Sequence, residues 1–145
     1  MSQIINLTLT VNSVIDNLDD AGLPDGDPEI NIFTTNGTLM HSERGMKLVF
    51  TETNESDVTT STLYVTKNGI RLIKHGAINA DMHFSEGVVE KTLYQVGPYS
   101  FDMSIFTKKI RCELDENGGD LRLFYSMNVG GQEKNVRMKI TAKRK

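Results

Sequence analysis

The C-terminal third of the chain alternates apolar and polar residues with a period of two, across residues 99–143. This period puts successive side chains on opposite faces of a strand, so each segment has one apolar face and one polar face. The residues predicted to face inward are Ile110, Cys112, Leu114, Leu121, Leu123, Tyr125, Met127, Val129, Val136, Met138, Ile140 and Ala142. Glycine pairs at 118–119 and 130–131 separate the segments, where tight hairpins require positive φ. The pattern therefore predicts a run of hairpins.

The same pattern predicts strands along the rest of the chain. Their ranges are 5–15, 30–39, 46–53, 61–66, 69–75, 82–84, 88–96 and 99–114. In the last range the apolar parity changes between Ile105 and Ile110, which predicts a β-bulge near residues 106–109. About 8–10 strands joined by short turns favour an all-β fold, a closed or nearly closed antiparallel up-and-down barrel, over a sandwich. We expect residues 1–145 to form this single domain.

Composition and charge narrow the classes of function. The net charge of −3 argues against a dedicated nucleic-acid binder, which needs a concentrated basic surface. Cys112 is the only cysteine, so an intramolecular disulfide is excluded and a reducing compartment is favoured. The N-terminal residues do not resemble a signal peptide, and no apolar run reaches the roughly 18 residues of a membrane span. We therefore expect a cytoplasmic protein without a membrane partner.

The acidic residues, histidines and cysteine of the chain do not match the spacing of a known catalytic or metal-binding motif. Segment 16–28 is acidic and rich in turn residues, but it lacks the ligand spacing of a calcium loop, so we expect a solvated loop and no metal. The histidines are far apart, and His83 is predicted to point outward. Cys112 is predicted to be inert packing. No nucleophile motif or cofactor loop is found, so catalysis is disfavoured and no cofactor is expected.

A few polar residues share the parity of inward-facing apolar residues. Thr35 is two residues after Phe33 and so shares its predicted inward face. Four further polar residues on inward faces are Glu52, Lys74, Tyr94 and Tyr125. An apolar lumen with a few converging polar groups is typical of a small-molecule pocket, so these five residues are the candidate ligand-binding set. The alternative is that Glu52 and Lys74 form a structural pair or lie in water at the rim.

Several short motifs, in their order and spacing, resemble those of the YwiB-like bacterial proteins. They are Phe33-Thr34-Thr35-Asn36-Gly37, Phe50-Thr51-Glu52, Lys74-His75-Gly76-Ala77, Phe84-Ser85-Glu86-Gly87, Tyr94, Gly97-Pro98-Tyr99, Thr107-Lys108-Lys109-Ile110, Leu114-Asp115-Glu116-Asn117-Gly118-Gly119 and Leu123-Phe124-Tyr125-Ser126-Met127. The resemblance spans about residues 5–143, apart from the acidic loop. It implies a small lipocalin-like (calycin) β-barrel of a family whose function is uncharacterised.

Two positions depart from what that resemblance leads us to expect, because arginine is expected at Lys74 and glycine at Ser100. Lysine keeps the charge but lacks the planar fork that grips a carboxylate in two places. The chain also has no tryptophan, and so lacks the Gly-x-Trp signature of secreted lipocalins. To assign the ligands of secreted lipocalins to this chain would be an argument from fold alone, and fold does not determine function.

Three hypotheses for function follow. The leading one is a non-enzymatic barrel that binds a small, partly apolar ligand in its lumen. The second is an interaction module with a filled barrel, which forms a homodimer or binds another protein through exposed Phe106 and Phe124. The third is nucleic-acid binding through a basic stripe, which the net charge and the acid Glu113 oppose. The stripe comprises Lys109, Arg111, Arg137, Lys139, Lys143, Arg144 and Lys145.

Overall fold

The computed structural model describes residues 4–145, and within them the chain forms ten strands and no helix. The strands are β1 (Ile4–Asn17), β2 (Glu29–Ser42), β3 (Gly45–Asn54), β4 (Asp57–Thr66), β5 (Gly69–Gly76), β6 (Ile78–Phe84), β7 (Val89–Val96), β8 (Tyr99–Asp115), β9 (Gly118–Val129) and β10 (Gln132–Arg144). Each strand lies where alternation predicts it. Most extend a few residues further, because the backbone pairing continues into the polar residues beside the turns.

Every strand pairs antiparallel with the next along the chain, and β10 pairs with β1, so the sheet closes into a barrel. This confirms the predicted all-β up-and-down architecture. Most connections are turns of about two residues, which antiparallel neighbours permit. Between β9 and β10, Gly130 and Gly131 have φ of 59° and 92°, the conformation that a tight hairpin turn requires.

One end of the barrel, which we call the packed end, is filled by apolar side chains from neighbouring strands. The register puts Leu39 opposite both Ile5 and Leu48, and Leu48 opposite Leu63. Leu39 and Leu63 are fully buried. Each such side chain contributes roughly 1.5–3 kcal/mol on leaving water, so this end supplies much of the stability of the barrel.

The ladder is interrupted at two seams, where neighbouring strands diverge. Strands β2 and β3 pair only between Gly37 and Ser42 on one side and Gly45 and Phe50 on the other. The rest of β2 and the end of β3 are separated at the opposite end of the barrel from the packed end. Strands β6 and β7 pair only through residues 78–80, at the end opposite the packed end, and they diverge towards the packed end.

The predicted bulge in β8 is confirmed, because the register against β9 shifts between Thr107 and Lys109. Beyond the bulge, β8 pairs with β9 alone among residues 4–145. The Oε1 atom of Glu86 covers the start of the free edge by accepting the N–H of Ile110 at 2.7 Å. The prediction that Cys112 is buried is wrong: it is exposed, because no strand flanks β8 there on the β7 side.

The connection between β1 and β2 is the acidic loop, and it uses its carboxylates locally. Asp19 Oδ1 accepts the backbone N–H groups of Ala21 and Leu23 at 2.9 and 3.0 Å. In the part of the chain from residue 4 onward, no three His, Cys, Asp or Glu side chains group in a way that would hold a metal ion. The same residues contain no helix long and apolar enough to cross a bilayer.

Candidate functional site

The interior of the barrel holds a cavity of about 330 Å³ at the end opposite the packed end. We call this the cavity end, and it lies where β1 ends and β2 begins. Apolar side chains form most of its wall, among them Val11, Phe33, Phe50, Met103 and Met127. The volume is at the lower end of the range for small-molecule pockets, which suits a small ligand.

Four of the five predicted site residues line this cavity, namely Glu52 on β3, Lys74 on β5, Tyr94 on β7 and Tyr125 on β9. Alternate strands of the barrel therefore each contribute one polar group to the same space. Thr35 is not among the lining residues. Its hydroxyl donates instead to the Thr51 carbonyl at 2.8 Å, at the point where β2 and β3 begin to separate.

The register explains how Lys74 and Tyr94 come together. Lys74 lies opposite Ser61 on β4 and opposite Ala80 on β6, and Ala80 in turn lies opposite Tyr94. Ladder neighbours are about 4.8 Å apart, so Lys74 and Tyr94 flank a single strand. The position between them carries the small side chain of Ala80, which leaves the space above it open.

Burial lowers the pKa of the Lys74 ammonium, and the negative charge of Glu52 offsets part of this effect. No carboxylate oxygen in residues 4–145 lies within 4 Å of the Lys74 nitrogen, and none of the ion pairs among these residues includes Lys74 or Glu52. Glu52 and Lys74 therefore influence each other across the cavity but do not close on each other as a structural pair.

The two tyrosines occupy different depths. Tyr125 is buried, and its ring packs on Phe84 with centroids 4.8 Å apart, so it separates the cavity from the packed end. Burial raises the pKa of Tyr125 strongly. Burial also raises the pKa of Tyr94, and the charge of Glu52 adds to the effect. Both hydroxyls stay neutral near pH 7 and are hydrogen-bond donors to whatever occupies the cavity.

The cavity has further polar lining that the sequence analysis missed. Ser13, Asn31 and Lys134 all face it. The signal was present, because Lys134 shares the parity of Val136 and lies opposite Met127 on β9. A search for alternating apolar residues does not find Lys134, because the inward row then begins at Val136, its first apolar residue. The lining therefore contains two lysines and one glutamate.

The seam between β2 and β3 borders one side of the cavity. Asn31 and Phe33 on β2 line the cavity, as do Phe50 and Glu52 on β3, and the two strands are not paired beyond Phe50. The rings of Phe33 and Phe50 lie across the seam with centroids 6.4 Å apart. At this level the side of the cavity is therefore closed by side chains and not by backbone hydrogen bonds.

Outside the barrel, the predicted exposed groups are where the pattern puts them. His83 points outward, and its Nε2 atom is 3.3 Å from Asp81. Phe106 and Phe124 are exposed. Four residues of the predicted basic stripe, Lys109, Arg111, Arg137 and Lys139, line a hollow of about 430 Å³ on the outer face together with Arg122, which the stripe did not include.

Comparison with known proteins places this barrel among uncharacterised relatives. The model of a family described as a domain of unknown function, DUF1934, matches residues 23–141. The "Uncharacterized beta-barrel protein YwiB" of Bacillus subtilis (strain 168) is 25% identical over 136 residues, which cover 94% of this chain and 91% of the relative. The crystal structure of the ywiB protein from Bacillus subtilis matches with a TM-score of 0.84 and 25% identity, over 98% of this chain and 93% of that one.

Proposed function

The chain belongs to the DUF1934 family of unknown function, and on the geometry of its lumen we propose that it binds a small, partly apolar ligand that carries an acidic group. The observation that carries this proposal is the cavity of about 330 Å³, whose charged lining comprises Lys74, Lys134 and Glu52. Apolar walls supply the affinity for the body of the ligand, and the few polar groups fix its orientation.

The charge balance of the lining supports an anionic ligand. Two ammonium groups face one carboxylate, and burial already disfavours the charged form of Lys74. A carboxylate or sulfonate that contacts Lys74 favours the ammonium again, since an opposite charge nearby stabilises the protonated form. Lysine binds such a group as a point charge, without the two-point geometry of arginine. The hydroxyls of Tyr94 and Tyr125 are further donors to the same group.

Binding is a better fit to this lining than catalysis. Within residues 4–145 no histidine or cysteine lines the cavity, and Glu52 has no charged partner at contact distance. An open lumen also favours a ligand over the filled-barrel interaction module. We place the protein among lipocalin-like (calycin) barrels, and in the cytoplasm, on the support of its closed up-and-down topology and its single cysteine.

The test uses the fluorescent probe 8-anilinonaphthalene-1-sulfonate, which is apolar and anionic, followed by displacement with octanoate and with octanol. We expect probe fluorescence to rise on binding and octanoate to displace the probe at a concentration at least tenfold lower than octanol. Lys74→Met should remove most of that preference. Lys67→Met, in the turn between β4 and β5, is the matched control and should leave it unchanged.

Two results would contradict the proposal. One is absence of probe binding by folded protein at millimolar ligand. The other is a preference for octanoate that survives in the Lys74→Met, Lys134→Met double variant, which would mean that the lumen lysines do not recognise the anion. Circular dichroism checks that each variant is folded.

A further inference from the structure

The outer face of the barrel across β8, β9 and β10 carries cations that the ladder puts side by side. Arg111 lies opposite Arg122, and Arg122 lies opposite Lys139. Strands are about 4.8 Å apart, so three positive side chains stand in a lateral row about 10 Å long. The adjacent row contains Lys109, Phe124 and Arg137, again in direct register. Five cations thus surround one aromatic ring.

Like charges directly opposite each other destabilise a sheet, so this arrangement opposes folding unless something else balances it. Acidic residues beside the two rows neutralise this positive charge only in part. Arg111 contacts Glu113 at 2.7 Å, Arg122 contacts Asp120 at 3.7 Å, and Arg137 reaches Asp16 at 4.0 Å.

Within residues 4–145, neither lysine of these two rows, Lys109 or Lys139, has a carboxylate oxygen within 4 Å. Glu113 and Asp120 lie opposite each other in the next row. The cations are therefore segregated from the acids instead of alternating with them.

The surface at these rows is concave, with a hollow of about 430 Å³ lined by all five cations and by Phe124. Phe124 is 37% exposed at the middle of the hollow. The Lys108 ammonium lies 4.7 Å from the centroid of its ring and adds a sixth positive charge. The same ammonium donates to the Oδ1 atom of Asn135 at 3.2 Å, so it is held beside the ring by two contacts.

We propose that this hollow is a binding site for single-stranded nucleic acid, with the two cation rows on the phosphates and Phe124 under a base. A positive groove with an aromatic platform is how sequence-tolerant single-strand binders work. A duplex keeps its bases stacked inside and offers none to Phe124. The net charge of −3 argues against a dedicated nucleic-acid binder, but at this hollow the local segregation of cations outweighs it.

Two other polyanions fit the same hollow less well. A flat anionic lipid surface would contact the cations but would also lie close to the neighbouring acids Asp16, Glu113 and Asp120, which repel it. An acidic peptide would leave the exposed face of Phe124 without the stacking partner that a base provides. Both are included in the experiment as competing outcomes.

The experiment measures the fluorescence anisotropy of fluorescein-labelled 12-residue oligo(U) and oligo(dT) with the full-length protein. We expect binding at 50 mM KCl that weakens about 20-fold at 200 mM, as roughly three phosphate contacts at a slope near −0.7 each require. Arg122→Gln should weaken binding several-fold and reduce the salt slope. Phe124→Leu should weaken binding by roughly 5-fold or more with the slope unchanged, because stacking carries no counterion release.

Lys67→Gln is the control for a cation elsewhere on the surface, and Lys74→Met is the control for the lumen. Neither should alter oligonucleotide binding, so this site and the proposed lumen site fail independently of each other. Absence of binding at 50 mM KCl would overturn the proposal, as would an equal loss in Lys67→Gln. Tighter binding to phosphatidylglycerol vesicles or to polyglutamate, at equal concentration of negative charge, would also overturn it.

Discussion

The two ends of the barrel interior are built from the same strands but follow different rules. At the packed end, neighbouring strands bring fully buried leucines against one another, as Leu39 and Leu63 do across Leu48. At the cavity end, the same strands present Glu52 and Lys74 to an unfilled space. Along β3 a single inward residue, Phe50, separates Leu48 from Glu52. Along β5 Lys74 is the next inward residue after Leu72.

The contrast shows how the barrel separates the region that stabilises the fold from the region that we propose binds a ligand. Close packing at one end stabilises closure of the sheet, which then holds polar groups of the other end in positions that they would not reach unaided. Tyr125 lies at the boundary, with its ring on Phe84 in the packed end and its side chain lining the cavity. The comparison predicts different responses to mutation at the two ends.

The largest expected effect comes from truncation at the packed end. Leu39→Ala should lower the free energy of unfolding by about 2–5 kcal/mol, because it removes buried contacts and leaves a void in a close-packed row. Ile15→Ala, on the cavity wall, should cost about 1 kcal/mol, because Ile15 is only partly buried and already borders open space. Urea unfolding measures both, and equal losses would show that the two ends are packed alike.

A smaller effect of opposite sign is expected from Thr107. Its side chain is fully buried, and its Oγ1 atom has no hydrogen-bond partner among residues 4–145. Thr107→Val keeps the shape and removes the unsatisfied hydroxyl, so it should stabilise the protein by about 1 kcal/mol. Thr59→Val makes the same change opposite Glu52, at a hydroxyl that, unlike that of Thr107, is not a buried atom without a partner. It should give no comparable gain in melting temperature, and a gain of the same size there would contradict the comparison.

The smallest effect is a dependence on pH at the cavity end. Because burial holds the pKa of Lys74 below its ordinary value of 10.5, the unfolded chain binds more protons than the folded protein between these two values. Stability should therefore rise with pH through that window and level off above it. The difference in unfolding free energy between wild type and Lys74→Met isolates this effect, since the tyrosines are common to both. A difference that stays flat or falls with rising pH would contradict the burial of Lys74.

Much of the architecture was predictable from the sequence because alternation is a local signal. Each strand was recognised from its own residues, and the bulge near Thr107 from a change in parity along β8. The same signal placed Glu52, Lys74, Tyr94 and Tyr125 inside the lumen. It gave the face on which each side chain lies, and a closed barrel then converts a shared face into a shared space.

The errors and omissions came from features that alternation does not encode. Cys112 has inward parity but is exposed, because exposure depends on whether β7 extends far enough to flank β8. Thr35 has inward parity, but its hydroxyl bonds to Thr51 where two strands separate. Arg122 joined the basic hollow only through the register of β8, β9 and β10. All three depend on pairing between distant segments.

At the cavity end the seam between β2 and β3 leaves the barrel without a continuous hydrogen-bond ladder. A barrel in which every strand is hydrogen-bonded to both neighbours has a fixed diameter, because widening it breaks hydrogen bonds. Here β2 and β3 are already unpaired beyond Gly37 and Phe50, so spreading them apart breaks no ladder bond between them, although it breaks the hydrogen bond from Thr35 to Thr51 and the contact of Phe33 with Phe50. Under the proposed function, side-chain contacts at this seam, and not the hydrogen-bond ladder, therefore limit the size of the ligand that the cavity admits.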